Sequence, residues 1–323
     1  MATYYGTYGQ KVQYLASDPS DPQTGQVWYN STSATLKVRS FQATAWASGG
    51  NINTARYIAG GAGIQTAALM FGGNSNGAPS IESATELYNG TTWTNNPTGL
   101  NNGRHSPGGA GTQTAALGFG GYFPGNRNNT ESFNGSTWTS LNNMNTARQG
   151  MSSNFSGTQT ATLAAGGSPP SSESWNGTSW TNTPALNTGG GDKSLIGIQT
   201  AALAFGGGVP AATAITESWN GSAWTAVNSM NTARLSAGNA GTQTAGIVYG
   251  GNNPSPGFIT ATETWDGTSW ATSPVSLTTG REGISSAGTQ TSALASGGYT
   301  GTAVTNTEEY IEAAGVTKTV TVS

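Results

Sequence analysis

"MNTARLSAGNAGTQTAGIVYGGNNPSPGFITATETWDGTSWA" occupies residues 230–271, and a close variant, "MNTARQGMSSNFSGTQTATLAAGGSPPSSESWNGTSWT", occupies residues 144–181. Both stretches contain, in the same order, Thr-Ala-Arg, Gln-Thr, a Gly pair, a Glu two residues before an aromatic, an Asx-Gly pair and a Trp. The Gln-Thr marker followed by small and apolar residues occurs six times, 40 to 48 residues apart, at Gln65, Gln113, Gln159, Gln199, Gln243 and Gln290. A period of this length is the signature of a repeat architecture.

Each copy predicts four short strands. In the fourth copy, "TAALAFGG" at residues 200–207 is an apolar run closed by glycine, which is typical of a buried strand. "TESW" and "SAWT" flank Asn-Gly, which predicts a type I′ hairpin turn because both central residues of that turn need a positive φ. A further strand is expected between Thr-Ala-Arg and Gln-Thr. Four strands in each period predict the blade of a β-propeller.

The Gly pair after an apolar strand, the aromatic after the Glu and the later Trp make each copy resemble the kelch repeat. This resemblance covers about residues 46–311 and implies an all-β fold, a six-bladed kelch-type β-propeller. We expect the propeller with a C-terminal strand over residues 43–323, and a small N-terminal β-hairpin attachment module over residues 1–42. The fold by itself implies no activity, because propellers host many functions.

The first and last copies complement each other. The sixth copy lacks the Asx-Gly and Trp of the others, and an unpaired Trp46 precedes the first copy. We therefore expect residues 44–48 to supply the outer strand of the sixth blade, which would hide open sheet edges. The C-terminal strand would then pair with the N-terminal segment. In the alternative, "VTKTVTV" at residues 316–322 fills the sixth blade instead.

The N-terminal module contains a predicted hairpin, "GQVWYNSTSATLKVR", at residues 25–39. This hairpin ahead of charge-poor kelch copies resembles virion proteins of tailed bacteriophages, especially tail-fibre-like proteins of marine phages. The resemblance implies a virion appendage made in the host cytoplasm, a tail fibre or tail tip. Residues 1–42 would dock to other virion proteins, and the propeller loops would contact a host-surface glycan or receptor. The alternatives are a capsid or tail decoration protein without a receptor role and a secreted carbohydrate-binding adhesin.

Composition argues against several other functions. The net charge is −3 and the basic residues are scattered, so no nucleic-acid surface is expected. No apolar run is long enough to insert in a membrane. Cysteine is absent and His105 is the only histidine, so we expect no metal, no cofactor and no catalytic triad. The variable loops carry almost no acid besides Glu82, whereas a glycosidase needs two carboxyls. We therefore expect a non-enzymatic protein.

Charged residues recur at two repeat positions. The basic position is occupied by Arg56, Arg104, Arg148, Arg234 and Arg281, and the acidic position by Glu86, Glu131, Glu173, Glu217, Glu263 and Glu308. In the fourth copy the basic position falls near Gly190, with Lys193 close by. We expect structural ion pairs within or between blades, because a catalytic site uses a residue once. In the alternative, these charges surround a channel and bind a ligand.

The stretches between the Gly pair and the Glu vary in length among the copies and differ in sequence in every copy. Functional residues lie preferentially on such loops over a rigid scaffold. In the second copy the loop contains Tyr122, Phe123 and Arg127, and later loops contain Phe258 and Tyr299. Aromatic rings with an arginine amid asparagines suit a flat polar ligand such as a glycan. These five residues are the predicted ligand-binding set.

Overall fold

The computed structural model describes six stretches of the chain: 12–76, 80–151, 154–167, 169–208, 211–255 and 257–320. Residues 1–11 of the predicted attachment module, parts of four variable loops and residues 321–322 of the alternative sixth-blade strand lie outside the described residues. The described residues form 32 β-strands and no helix. The expected all-β class is confirmed.

Strands are numbered β1 to β32 in chain order. Before the repeats lie β1 (Gln13–Leu15), β2 (Val27–Asn30), β3 (Thr35–Gln42) and β4 (Ala45–Ser48). The first repeat contains β5 (Arg56–Tyr57), β6 (Gly60–Ile64), β7 (Ala67–Phe71), β8 (Asn74–Ser75), β9 (Thr85–Tyr88) and β10 (Trp93–Asn95). The second contains β11 (Gly108–Gly111), β12 (Ala116–Phe119), β13 (Thr130–Phe133) and β14 (Trp138–Leu141). The third contains β15 (Asn154–Ser156), β16 (Thr162–Ala165), β17 (Ser172–Trp175) and β18 (Trp180–Thr183).

The remaining strands follow the same order. The fourth repeat contains β19 (Ser194–Ile198), β20 (Ala201–Phe205), β21 (Thr216–Trp219) and β22 (Trp224–Val227). The fifth contains β23 (Gly238–Gly241), β24 (Gly246–Tyr249), β25 (Asn252–Asn253), β26 (Gly257–Phe258), β27 (Thr262–Trp265) and β28 (Trp270–Thr272). The sixth contains β29 (Ser285–Thr289), β30 (Ser292–Ser296) and β31 (Thr307–Ile311), and β32 (Ala314–Thr319) follows it.

Backbone contacts divide the chain into two compact units, Met1–Ala45 with Ile311–Ser323, and Trp46–Tyr310. In the first unit the sheet order is β1-β2-β3-β32, so the C-terminal strand pairs with the N-terminal segment, as the sequence favoured. Strands β2 and β3 form the predicted hairpin. The carboxylate of Asp18 accepts hydrogen bonds from Trp28, Asn30 and Lys37, which anchors the fully buried indole of Trp28.

In the second unit the first, second, fourth and fifth repeats each supply four antiparallel strands, and the Trp-bearing strand ends the series. The third repeat differs. Its strands β16-β17-β18 form a three-stranded sheet, while β15 pairs in parallel with β11 and β19 and so joins the second and fourth repeats in one nine-stranded sheet. The fold is therefore a set of small, mostly antiparallel sheets that follow the sequence repeat.

The sixth repeat obtains its fourth strand from the other end of the chain. Its sheet order is β29-β30-β31-β4, so the strand of Trp46 lies beside β31. The Trp46 indole N–H donates to Thr262 Oγ1 at 3.0 Å, and the Trp93 N–H donates to Thr307 Oγ1 at 3.1 Å in the same way. Trp46 thus takes the position of a repeat tryptophan, which decides between the two strands considered from sequence.

The recurring Gln-Thr glutamine links each repeat to the one before it. In the second repeat, Gln113 Nε2 donates to the carbonyl oxygens of Ala68 and Tyr88 at 2.9 and 2.6 Å. In the first repeat, Gln65 Nε2 donates to those of Ala293 and Tyr310, which belong to the sixth. The glutamine bonds therefore connect the last repeat with the first by the same geometry that connects neighbours in sequence.

Apolar packing follows the same succession. Among the described residues the buried apolar side chains form six clusters, and each cluster combines side chains of two repeats. One of them packs Met70, Tyr88 and Trp93 of the first repeat with Ala287 and Leu294 of the sixth. The repeat tryptophans are consequently buried, and burial of such large side chains dominates core energetics.

The Asn-Gly turns differ from the predicted type I′ geometry. Tyr88 pairs directly with Trp93, so the first-repeat loop has four residues rather than two. Gly90 has φ +88°, while Asn89 is not among the residues with positive φ. The Asn89 side-chain oxygen instead accepts the backbone N–H groups of Thr91 and Thr92 at 3.0 and 2.8 Å. An Asx turn has replaced the predicted turn because the asparagine oxygen satisfies two donors.

Candidate functional site

The predicted loop residues of the second repeat form one group. The backbone of Tyr122 pairs with that of His105, and their rings lie 5.2 Å apart. Phe123 is exposed, with 45% of its surface accessible. Arg127 Nε donates to the Phe123 carbonyl oxygen, so the arginine braces this loop. An exposed ring on a braced loop suits stacking on a flat ligand.

The two later loop residues form a second group with a residue that the sequence did not single out. The ring centroids of Phe258 and Tyr299 lie 5.9 Å apart, and those of Tyr299 and Tyr57 lie 4.9 Å apart. Tyr299 also pairs through its backbone with Glu282. The structure thus brings together aromatic side chains of the fifth, sixth and first repeats.

All six repeats meet at a cavity of about 320 Å³, which we call the six-repeat cavity. Its lining residues are Tyr57, Ile58, His105, Ser106, Gln149, Gly150, Gly191, Asp192, Leu235, Ser236 and Glu282. They are the first and second residues after the basic repeat position. The volume lies within the range of small-molecule sites, about 300–1,000 Å³.

Buried ion pairs hold the backbone that carries this lining. The five repeat arginines each pair with a repeat glutamate: Arg56–Glu86, Arg104–Glu131, Arg148–Glu173, Arg234–Glu263 and Arg281–Glu308. Every one of these side chains is almost fully buried. Because the charges pair inside the protein, they do not form the charged channel considered as the alternative. Their role is to fix the residues that follow them.

The second lining position in each repeat has an unusual backbone. Ile58, Ser106, Asp192 and Ser236 have φ values between 47° and 57°, and the glycines at this position are also positive. The Ser106 N–H donates to the Ile58 carbonyl oxygen at 2.7 Å, and the Ile58 N–H donates to that of Gly283 at 2.7 Å. A left-handed isoleucine is strained, because β-branched residues avoid this region. Strain of this kind concentrates at functional sites.

Four titratable groups line the cavity, and burial shifts the pKa of each. Burial raises the pKa of Asp192 and of Glu282. For Glu282 a hydrogen bond from Asn252 opposes the rise in pKa, and the negative charge of Asp192 adds to it. Burial also lowers the pKa of His105 and raises that of Tyr57. Titratable groups perturbed by burial in a cavity mark a candidate functional site.

The fourth repeat departs from the others at this site. Gly190 replaces the repeat arginine, and Glu217 keeps the bonds from the backbone N–H groups of Asn187 and Thr188 that other repeat glutamates also accept. Lys193 Nζ lies inside the protein and donates to the Gly206 carbonyl oxygen at 3.0 Å. Among the described residues of this repeat, which supplies Asp192 to the cavity, no arginine pairs with the glutamate.

Sequence reasoning missed most of the cavity. His105, considered there only as a candidate for metal or triad chemistry, forms an isolated backbone bridge with Tyr122 and lines the cavity. The residue after the basic position is different in every copy: Tyr57, His105, Gln149, Gly191, Leu235 and Glu282. Comparing the copies at this position, and not only in the loops, would have revealed the site.

The sequence-based prediction against a glycosidase considered only the acidic residues of the variable loops. Glu82, the acid found in a variable loop, accepts a hydrogen bond from Ser75 at 2.7 Å. Asp192 and Glu282, which lie outside those loops, share the cavity. Within the described residues no group of three or more His, Cys, Asp or Glu side chains could hold a metal ion. The same residues contain no helix long and apolar enough to cross a membrane.

Comparison with known proteins gives no relative. No protein-family model matches the chain, and no curated protein matches it at a significant level. The six-repeat cavity and the aromatic residues next to it are therefore the features that indicate a function.

Proposed function

We propose that residues 46–310 form a six-bladed β-propeller of the kelch type, closed between its sixth and first blades. Three sets of contacts support this proposal: the glutamine bonds, the apolar clusters and the backbone bonds of the cavity lining each link the sixth repeat to the first. In this arrangement the strand of Trp46 completes the sixth blade. Full closure protects sheet edges that an open array exposes.

The function that this geometry supports best is non-enzymatic recognition of a surface glycan or receptor. The observation that carries the proposal is that six similar repeats place six different residues around one cavity. Constant positions build the scaffold, and varied positions meet the ligand. Next to the cavity, the rings of Tyr57, Tyr299 and Phe258 offer faces for stacking on sugars.

We place this recognition on a phage virion, at a tail fibre or tail tip, with residues 1–42 docking to other virion proteins. Support comes from the charge-poor repeats, from the hairpin that precedes them, and from the sheet β1-β2-β3-β32 that contains this hairpin. That sheet exposes 76% of Tyr14, stacked at 5.1 Å on Tyr29. A capsid or tail decoration protein predicts particle incorporation without glycan binding. A secreted adhesin predicts glycan binding without incorporation.

Blocking the cavity tests the recognition proposal. A Cβ atom at Gly191 would meet nothing within 4 Å, so Gly191→Trp is chosen to add bulk to the cavity lining, and its melting curve checks that the fold is intact. The variant should lose binding on a glycan array and adsorption to host cells, while Gly191→Ala keeps both. Replacing Tyr122, Phe123 and Arg127 by alanine should weaken adsorption without lowering the melting temperature. Unchanged binding in both variants, with intact folding, contradicts the proposal.

A second function, glycoside hydrolysis, is favoured by one observation, the shared cavity of Asp192 and Glu282. Two carboxyl groups, one of them with a raised pKa, are the usual machinery of that reaction. Product analysis on bound oligosaccharides distinguishes the two functions, because recognition leaves the oligosaccharide intact. Cleavage that is lost in Glu282→Gln would replace the recognition proposal.

A further inference from the structure

The charge of the six-repeat cavity is unbalanced. Two acidic residues, Asp192 and Glu282, belong to its lining, and no lysine or arginine of the described chain does. The Glu282 carboxylate also accepts a hydrogen bond from the neutral Asn252 side chain, which leaves its charge unbalanced. The nearest cations in sequence are directed inward, because Arg281 pairs with Glu308 and Lys193 donates to the Gly206 carbonyl oxygen. His105, the remaining basic group of the lining, has a lowered pKa and is therefore neutral at pH 7.

Asp192 is available to a ligand. Its carboxylate accepts no hydrogen bond from any described residue, and burial is the cause of its raised pKa. The equivalent positions of the second and fifth repeats hold the neutral Ser106 and Ser236. An unpaired, partly buried carboxylate costs folding free energy unless a cation or hydrogen-bond donor meets it. The cavity therefore contains a carboxylate without a positively charged partner, and a ligand can supply that partner.

The neighbouring aromatic side chains are suited to the same kind of ligand. The Tyr57 side chain lines the cavity and contacts Tyr299, which contacts Phe258. Aromatic faces attract cations and also stack on sugar rings. The volume of about 320 Å³ exceeds what a bare ion needs and suits a small organic group.

We propose that the six-repeat cavity binds an ammonium group of an amino sugar, held by the carboxylates of Asp192 and Glu282 next to the Tyr57 ring. This inference rests on the proposed glycan recognition and names its ligand class. Acidic glycans are disfavoured at this site, because like charges within a partly buried cavity repel. In this proposal, recognition depends on the positive charge of the ammonium group, which neutral sugars lack.

A matched pair of probes tests the proposal on the full chain. Glucosamine oligomers and N-acetylglucosamine oligomers of equal length differ only in carrying ammonium or acetamide groups. Titration calorimetry at pH 7 should show at least about tenfold tighter binding of the glucosamine oligomer, the scale expected for a charged hydrogen bond. Asp192→Asn with Glu282→Gln should abolish that preference. Gly191→Trp should abolish binding of both oligomers, and Gly191→Ala neither.

The pH dependence has a defined sign. At pH values where the sugar amine is already protonated, affinity for the glucosamine oligomer should fall as the pH drops through the raised pKa values of Asp192 and Glu282, because both carboxylates become neutral. At higher pH, affinity should fall again as the sugar amine loses its proton and its charge. Protonation of His105 adds a positive charge to the lining and acts in the same direction. Tyr57, the fourth titratable group of the lining, stays neutral at these pH values because its pKa is raised.

Each other result overturns the proposal in its own way. Equal or tighter binding of the acetylated oligomer, blocked by Gly191→Trp, contradicts the ammonium site but leaves glycan recognition standing. Binding of neither oligomer nor of any glycan on an array contradicts both. Calcium binding that Asp192→Asn removes, without oligomer binding, identifies a metal site instead. Melting curves of each variant exclude misfolding as the cause, and the two acid variants should be at least as stable as the wild type.

Discussion

At the scale of single residues, the chain carries side chains that folding alone does not favour. Asp192 and Glu282 are partly buried acids with raised pKa values, and Ile58 is a β-branched residue with φ 47°. All three lie in the lining of the six-repeat cavity. Residues that oppose folding are expected mainly at functional sites. They therefore indicate the site more clearly than the residues that recur in every repeat.

Neutralising either acid should stabilise the protein. Because the pKa of Asp192 is raised in the folded state, the folded protein binds more protons than the unfolded chain between the ordinary and the raised pKa. Stability therefore falls as pH rises through that window, and the penalty is complete above it. Asp192→Asn and Glu282→Gln should raise the melting temperature at neutral pH.

Thermal melts of both variants across pH check this prediction. The gain over the wild type should vanish below the ordinary carboxyl range, about pH 4, where the wild-type acids are also neutral. Variants less stable than the wild type at pH 7 would show that the two carboxylates stabilise the fold instead.

One repeat lacks a hydrogen bond that the others make. Among the described residues, Trp224 Nε1 and Ser172 Oγ are both buried without a hydrogen-bond partner. In the repeats that have threonine at the position of Ser172, the indole donates to it, as Trp138 does to Thr85 at 2.9 Å. Ser172→Thr should restore this bond, because the threonine methyl restricts χ1.

The expected gain is about 0.5–1.5 kcal/mol, the net value of one hydrogen bond. Urea unfolding measures it. The matched control is Ser172→Ala, which removes a hydroxyl that makes no bond and should not destabilise the protein. A destabilising Ser172→Thr would mean that the cluster around Trp224 has no room for the methyl group.

At the scale of elements, the Arg–Glu pairs connect the end of one strand to the turn that lines the cavity. The Arg234 and Glu263 side chains lie 2.5 Å apart, and both are almost fully buried. Removing one partner of a buried pair leaves an uncompensated charge, which costs about 3–5 kcal/mol. Arg234→Met should therefore lose stability on this scale in denaturant unfolding.

The double variant Arg234→Met with Glu263→Met is the control, because replacing both charges by apolar groups is often neutral. It should recover most of the loss. A double variant as unstable as Arg234→Met alone would show that the pair supports the turn by geometry more than by charge balance.

The sheet β1-β2-β3-β32 has a charged centre of its own in Asp18. Hydrogen bonds from Lys37, Asn30 and Trp28 lower the pKa of Asp18 to about 2. A lowered pKa contributes stability above the ordinary pKa, and that contribution is lost as pH falls toward about 2. Asp18→Asn should therefore increase amide exchange in β2 and β3 at pH 6.

Hydrogen exchange monitored by mass spectrometry checks this prediction, since it reports on this sheet by itself. The difference between wild type and Asp18→Asn should shrink as pH approaches about 2. An unchanged exchange rate at pH 6 would mean that packing of Trp28, rather than the carboxylate, holds the hairpin.

At the scale of the whole chain, the sequence predicts the elements that recur in every repeat. It does not predict which residues of distant repeats come together in space. The strand of Trp46 was predictable because the sixth copy lacks a tryptophan that every other copy has. The cavity was not, because it assembles residues as distant as Tyr57 and Glu282, which become neighbours only when the repeats meet. The shift from arginine at the basic position to Lys193 three residues later likewise depends on packing that no local pattern encodes.

Attachment also belongs to this scale. A chain beginning at residue 43 loses β1, β2 and β3 but keeps β4, so the Trp46 strand is retained beside β31. We expect this truncated chain to retain ligand binding and to fail to join particles. Quantitative mass spectrometry of purified particles checks the second part. Full incorporation would contradict the docking role of residues 1–42.

The six-repeat cavity depends on closure of the sixth repeat onto the first, and an intramolecular cross-link tests this closure. The chain has no cysteine, and Ser292 Oγ lies 2.6 Å from Gln65 Oε1, so Gln65→Cys with Ser292→Cys places two unique thiols across this contact. The equivalent pair between the first and second repeats, Ala67→Cys with Gln113→Cys, is the positive control. At low protein concentration a short thiol cross-linker should join both pairs within one chain, with equal yield by mass spectrometry. Cross-linking of the control pair without cross-linking of the 65–292 pair would contradict closure and the cavity that depends on it.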